Sequence, residues 1–316
     1  MRRVRIALII ILTLAVNLVA SAQDRNVQPR NIVLFGWDGV GRKHLKDCLR
    51  LSELPNLQNL VAEGALVAID IFGTTDTKAG WAQVLTGYEP WVTGVFSNHR
   101  YQPIPKGYTI FERLKDFFGA QNFVTVAVIW KKDNMSAGPG EPYYYTKDGM
   151  DEFIDRFCYA KKVGLTTLEL LEKYKEKPFF FFVHFDQADH FGHKYGEKSK
   201  EYNNAIILAD SWLGEIVQKL KQLNLYDKTL IYVTADHGFD EGSWTHNNAP
   251  YVFLATNDPK VMRDGQRVDI APTILDRFGV DLSKIKPPLD GHSLTKPYKK
   301  SAWQGGHQAI LLDKAN

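Results

Sequence analysis

The segment Pro178 to Phe185, PFFFFVHF, carries four consecutive phenylalanines and reserves no alternate position for water. An amphipathic strand would alternate apolar and polar residues. A short run without alternation needs cover on both faces, as a strand has inside a parallel sheet sandwiched between helices. The pattern recurs in NIVLFGW at 31–37, in TLIYVT at 229–234 and between Asn122 and Trp130. Other strand-like pieces run from Ala65 to Ile71 and from Pro250 to Ala255. Helix-like segments fill the intervals: Leu54 to Glu63, Lys78 to Leu85, Tyr108 to Phe118, Leu165 to Lys175 and Asp269 to Phe278. From Glu201 to Leu223 the residues Ala205, Leu208, Trp212, Ile216, Val217 and Leu220 recur at helical spacing. This alternation predicts an α/β fold, a mostly parallel central sheet flanked by helices on both faces. A chain of 316 residues can bury a substantial core, and residues 23–316 are expected to form a single domain.

The first 22 residues stand apart. MRRVRIALIIILTLAVNLVASA places Arg2, Arg3 and Arg5 before an apolar run and closes with Ala20-Ser21-Ala22. That three-part pattern predicts a signal peptide over residues 1–22 and an exported mature chain, periplasmic or secreted. The competing reading is an uncleaved anchor, because the run is almost long enough to span a bilayer. No later run is long and apolar enough, so no membrane span is expected in the mature chain. Losing the three arginines brings the formal charge from +3 to zero. A neutral mature chain argues against a nucleic-acid polymer as partner. Cys48 and Cys158 are the only cysteines; export permits a disulfide between them, and two buried thiols fit the sequence equally well.

In open α/β sheets ligands bind beyond the C-terminal ends of the strands, so the polar clusters acquire meaning from their positions. Asp38 follows NIVLFGW, in WDGVGR. Thr77 lies beyond the strand that ends near Ile71, in GTTDTKAGWAQVLTG. Asp189 and His193 follow the phenylalanine strand, in HFDQADHFGH. Asp236 and His237 follow TLIYVT, and His246 comes nine residues later in WTHNNAPYVF. Carboxylate oxygens and imidazole nitrogens suit zinc, manganese and similar ions, and six such ligands plus a hydroxyl suffice for two. Each cluster alone is weak, since an aspartate at a strand end commonly caps a helix. The case rests on all of them falling at one edge of one sheet.

WDGVGR, the Thr77 segment ending in LTG, DHFGH and ADHG stand in the order found in the alkaline phosphatase-like superfamily, which the chain resembles over nearly its whole mature length. LPNLQNLVAEGALV, GHKYGEKSKEYNNAIILADSWLGEIV, and VDIAPTILDRFGV followed by LDGHSL continue the resemblance. That superfamily includes type I phosphodiesterases/nucleotide pyrophosphatases, sulfatases and cofactor-independent phosphoglycerate mutases. The resemblance implies an alkaline phosphatase-like catalytic domain with two divalent metal ions, zinc by default or manganese. Asp38, Thr77, Asp236 and His237 are then expected to hold one ion, and Asp189, His193 and His246 the other. His292, in DGHSL, is a rival for the third histidine; His246 is preferred because it lies just before a strand. His184 falls within a strand, where a supporting role is expected, and His190 is expected at the pocket rim or in solvent.

The resemblance places the nucleophile ten residues before the glycine of the TG pair, which selects Thr77 over Thr74 and Thr75. A helix starting near Lys78 would present unpaired N–H groups to an approaching phosphate, although Thr77 as a simple N-cap would give the same pattern. Asn98, in GVFSNHRY, falls where the phosphodiesterase branch has an asparagine that donates to a phosphate oxygen, and so tilts the reading toward diester or nucleotide-type substrates. Arg100, Lys131 and Lys132 are further candidate phosphate contacts, and Trp130 to Phe157 a candidate substrate cap with little helix or strand signal. Sulfatases have Cys or Ser as nucleophile, with Pro and Arg two and four residues on; here Ala79 and Trp81 follow Thr77, and threonine cannot yield formylglycine. The expectation is an exported two-metal phosphoesterase acting on a small-molecule phosphate ester through a phosphothreonine intermediate. The alternatives are a phospho-group transferase, a sulfatase-like hydrolase and an inactive binding protein of the same fold.

Overall fold

The computed structural model describes residues 28–130, 149–155 and 159–298. The signal-like segment, Lys131, Lys132, Tyr143 to Tyr145 and Cys158 lie outside the described residues, and with them the question of a Cys48–Cys158 disulfide.

Eight strands form one sheet: β1 (Asn31–Trp37), β2 (Ala65–Asp70), β3 (Val124–Ile129), β4 (Glu152–Ile154), β5 (Phe179–Phe185), β6 (Thr229–Thr234), β7 (Tyr251–Thr256) and β8 (Gly265–Gln266). Their order is β4-β3-β5-β1-β6-β7-β2-β8. Every residue of β1, β3, β5 and β6 is buried, as strands covered on both faces must be. Toward the far edge β2 is only partly buried and β7 exposes Tyr251.

The helices among the described residues are α1 (Arg42–Arg50), α2 (Pro55–Ala62), α3 (Thr77–Thr86), α4 (Pro90–Thr93), α5 (Ile110–Phe118), α6 (Ala160–Tyr174), α7 (Gln187–Tyr195), α8 (Lys200–Gln222) and α9 (Ile270–Arg277). Thr109 and Glu112 close a capping box at the start of α5, and Ser199 accepts the Tyr202 N–H at the start of α8. Five elements depart from the sequence reading, two of them the very short α4 and β8. RKHLKDCLR in α1 buries only Leu45 and Cys48, too thin an apolar stripe to register as periodic. Helix α7 is hidden inside the DHFGH motif, where polar residues mask its spacing. Strand β4 crosses the segment 130–157 that carries little strand signal, and pairs in parallel with β3.

The sheet is parallel throughout except for β7. It runs antiparallel to both β6 and β2, whereas β1 is parallel to β5 and β6, and β3 to β5. The C-terminal ends of β1, β2, β3, β5 and β6 therefore share an edge with the N-terminal end of β7. The connection from β6 to β7 needs no crossover helix and turns back at that same edge. Helix α3 packs close to the sheet beneath it. A side chain at Gly36 would meet the Trp81 ring at 2.6 Å, and one at Gly80 would meet Asp236 Cβ at 2.8 Å. Glycine at both positions lets the helix bring Thr77 down to the strand ends.

Candidate active site

Asp38 lies one residue beyond β1, wholly buried, and its backbone N–H donates to Phe185 O at 3.0 Å. His184 Nε2 and the Trp81 indole donate to its Oδ2 at 2.9 and 3.1 Å. Burial would raise this carboxyl; the His184 hydrogen bond and the charges of His184 and His237 outweigh it and hold Asp38 well below the usual carboxylate range. His184 thus supports Asp38 from within β5. Trp81 belongs to the core, stacked edge-on against His184 with ring centres 5.0 Å apart, while its indole N–H completes the Asp38 environment.

Asp236 and His237 leave β6 fully buried. His237 Nδ1 donates to Gly238 O at 3.0 Å, which fixes the tautomer and leaves the Nε2 lone pair facing inward. That nitrogen lies 3.1 Å from Thr77 Oγ1, 3.4 Å from Asp236, 3.5 Å from Asp38 and 3.8 Å from Asp189. Thr77 is the first residue of α3; its N-cap is Asp76, so the reading of Thr77 as a simple N-cap is corrected. The hydroxyl stands at the helix N-terminus within hydrogen-bond distance of His237 Nε2.

On the other side of His237, Asp189 and His193 come from successive turns of α7, with His193 Nε2 3.3 Å from Asp189 Oδ1. His193 Nδ1 donates to Trp244 O at 2.9 Å, so its Nε2 also points inward. The hydrogen bond and charge of Asp189 raise the His193 pKa against its partial burial. His246 is carried by the loop between β6 and β7. Asp240 accepts the N–H groups of Asn247 and Asn248 at 3.1 and 2.8 Å, and Thr75 donates its hydroxyl to His246 O. The His246 ring stacks on His237 at 3.9 Å between centres, and its Nε2 lies 3.2 Å from His193 Nε2. Burial and the His237 charge push His246 down to about 4. His292 instead stacks on Tyr298, while its backbone N–H is held by Asp269.

The donor set fits divalent cations. Oxygen and nitrogen atoms of Asp38, Asp236 and His237 converge within 4.8 Å of one another, as do those of Asp189, His237 and His246. The inward-facing Nε2 atoms of His193 and His246 lie 3.2 Å apart, close enough for one to donate to the other or for both to bind one cation. Asp236 Oδ2 is buried without a hydrogen-bond partner among the described residues, an arrangement that costs free energy until a cation satisfies it. Burial, then the Asp38 and Asp189 charges, raise the Asp236 carboxyl well above its ordinary value. His246→Ala is expected to weaken binding of one ion by about 10-fold or more while His292→Ala leaves it unchanged, as read by zinc titration calorimetry; the reverse result would transfer the ligand role to His292.

Sequence reasoning missed two residues here. Asp186, buried at the end of β5, brings a carboxylate oxygen within 4.8 Å of those of Asp38 and Asp189; the motif DQAD contained it, but one strand-end acid looks much like another. Arg267 is also buried and donates to Asp236 O and Thr74 O, each at 2.8 Å, strapping the turn before α3 to the end of β6. Nothing in GQRVDIAP marks that arginine out. Asn98 does reach the site: its Oδ1 accepts the Lys78 N–H at 3.0 Å and its own N–H donates to Asp76 Oδ2 at 2.9 Å. Arg100 is exposed, its guanidinium 3.9 Å above the Phe96 ring.

The mouse (Mus musculus) bis(5'-adenosyl)-triphosphatase enpp4 is 26% identical to this chain over 295 residues, covering 90% of this chain and 59% of the relative. The chain spans about half the length of the curated relatives it matches. Among solved structures, a protein of the alkaline phosphatase superfamily from Vibrio parahaemolyticus aligns with a TM-score of 0.61 at 23% identity, over 86% of this chain and 71% of the other. The phosphonate monoester hydrolase of Silicibacter pomeroyi aligns with a TM-score of 0.60 at 17% identity, over 86% and 78%. These two likenesses establish the alkaline phosphatase-like fold. The sequence profile of the type I phosphodiesterase/nucleotide pyrophosphatase family matches residues 32–287, and the chain therefore belongs to that family.

Proposed function

We propose that this chain is an exported two-metal phosphoesterase acting on small-molecule phosphate esters, of diester or nucleotide type in preference to simple monoesters. The observation that carries the reading is the position of the Thr77 hydroxyl. It sits at a helix N-terminus, 3.1 Å from the Nε2 of His237, whose side chain takes part in two of the convergent groups of carboxylates and imidazoles. Asp38, Asp236 and His237 with Thr77 would hold one ion; Asp189, His193 and His246 would hold the other. When bound, the two cations, zinc or manganese, supply the charge that lowers the pKa of the hydroxyl and offsets negative charge on the phosphoryl and leaving oxygens.

The residues divide the remaining work. Thr77 Oγ1 forms the new bond to phosphorus while the ester oxygen departs in line, giving a phosphothreonine that water then cleaves. Asn98 uses its amide oxygen on the Lys78 N–H, which turns its NH₂ outward to donate to a non-bridging oxygen. Asp38 is kept ionised by His184 and Trp81, and Arg267 fixes the backbone on which Thr77 and Asp236 meet. The nucleotide-type preference draws on Asn98 and on the mouse relative, whose name describes a dinucleoside triphosphatase. Export draws on residues 1–22; no helix among the described residues is long and apolar enough to cross a membrane.

Hydrolysis of p-nitrophenyl phosphate, bis-p-nitrophenyl phosphate and p-nitrophenyl sulfate by the mature chain tests the reading. Activity on a phosphate substrate should fall at least about 100-fold with a chelator and return with zinc or manganese. Activity on the sulfate alone, or activity indifferent to chelation, would overturn it.

A further inference from the structure

The connection from β6 to β7 is long and mostly exposed. From Glu241 to Asn248 only His246 is buried, so apolar packing holds little of this segment in place, and a loop without packing opens locally at small cost. Its conformation rests on hydrogen bonds. Asp240 ties the loop to itself: its backbone N–H donates to Thr245 O at 2.9 Å, and its carboxylate accepts from Thr245 Oγ1 at 2.9 Å besides the Asn247 and Asn248 N–H groups. Glu197 ties it to the end of α7. The Glu197 Oε2 accepts the Gly242 N–H at 3.0 Å, and the Glu197 backbone N–H donates to Ser243 O at 2.8 Å. The next residue, Trp244, offers the carbonyl that orients His193, and His246 follows two positions later.

Glu197 is itself buried, which a glutamate tolerates when it is paired. Its partner is His44 on α1, whose Nδ1 lies 3.0 Å from Glu197 Oε1. The other ring nitrogen of His44 meets Asn203 Oδ1 at 3.0 Å, and Asn203 turns its NH₂ to Glu53 at 3.3 Å. Both imidazole nitrogens therefore face acceptors, so both carry protons and the ring is a cation. It stands edge-on to Tyr202, with ring centres 4.8 Å apart. The His44 hydrogen bond holds the Glu197 carboxyl below its ordinary value against the opposing effect of burial. A charged pair fixed between α1 and α8 thus grips an exposed loop at residues 242 and 243. It joins the end of the helix that carries Asp189 and His193 to the loop that carries His246. Resting on the ligand assignment proposed above, we infer that Glu197 is a positioning residue: it holds the loop so that His246 completes the ion site with Asp189 and His193.

Zinc titration of the dialysed mature chain tests this in wild type, Glu197→Ala, Glu197→Gln and Asp210→Ala. Asp210 is also a buried acid, but it clamps α2 through the Asn56 and Leu57 N–H groups, and it controls for general loss of stability. Glu197→Ala should weaken one ion by about 10- to 100-fold, leave the other, and speed hydrogen exchange across residues 241–248. Glu197→Gln keeps an oxygen for the Gly242 N–H and should restore most of the affinity; Asp210→Ala should bind both ions as wild type does. Combined with His246→Ala, Glu197→Ala should add little further loss, because the ligand it places is gone. His44→Ala, which removes the anchor of the clamp, should show the same selective loss at smaller size and carries the test if Glu197→Ala does not fold. Wild-type affinity for both ions in the Glu197 and His44 variants, the same loss in Asp210→Ala, or full additivity with His246→Ala would overturn the role of Glu197 and leave the phosphoesterase reading intact. A wild type that binds fewer than two ions would overturn both.

Discussion

Thr77→Ala retains its metal ions and loses ~10⁴-fold or more in turnover, the scale set when a covalent nucleophile is deleted from an otherwise intact site. The expectation follows from position. Thr77 contributes one hydroxyl to a cluster otherwise made of carboxylates and imidazoles, and its side chain is small and set at the start of a helix whose packing the substitution leaves alone. Asp38, Asp236 and His237 stay where β1 and β6 put them. Metal analysis after dialysis, alongside p-nitrophenyl ester hydrolysis, separates the two properties. Retained activity would move the nucleophile to another residue, and loss of metal with activity would make Thr77 chiefly a ligand.

His237→Ala should do more damage to the metal centre than removal of any other single ligand. Its Nε2 lies within reach of Thr77, Asp38, Asp236 and Asp189, and it is the one histidine common to both convergent groups. Its removal leaves three acids and two imidazoles without their central donor. We expect bound metal to fall below two ions per chain and kcat/KM to fall on the order of 10³-fold or more. Elemental analysis of the dialysed protein gives the first figure and steady-state kinetics the second. Full occupancy of both sites in His237→Ala would remove His237 from the ligand set. Circular dichroism on the same sample distinguishes a lost ion from a lost fold.

The sheet was legible in the sequence because buried parallel strands carry a signal that needs no partner to be seen. NIVLFGW, PFFFFVHF and TLIYVT are continuous apolar runs, and an aspartate or histidine after each stands out against them. The edge on which His246 falls was not legible. A residue just before a parallel strand would lie at the opposite edge of the sheet, and only the reversed direction of β7 returns His246 to the others. That reversal depends on pairing with β6 and β2, which no local pattern in YVFLAT reveals. Arg267 and Asp186 escaped for a related reason. Their roles depend on what they meet across the fold, Thr74 and Asp236 for one, Asp38 and Asp189 for the other, and their own neighbours in sequence are ordinary. Helix α1 was lost because its buried stripe consists of Leu45 and Cys48 alone.

The pairing of β1 also governs when the metal centre can exist. Ile32 is in register with Phe180 on one side and Leu230 on the other, and the ligands run from Asp38 to His246. The first carboxylate made by the ribosome, Asp38, therefore precedes Asp186 and Asp189 by about 150 residues and Asp236 and His237 by about 200. Asp38 is thus joined to the other candidate ligands only by contacts distant in sequence, which are the slow ones to form. The edge that gathers these residues is accordingly expected to close late in folding, once β1 has paired with both β5 and β6.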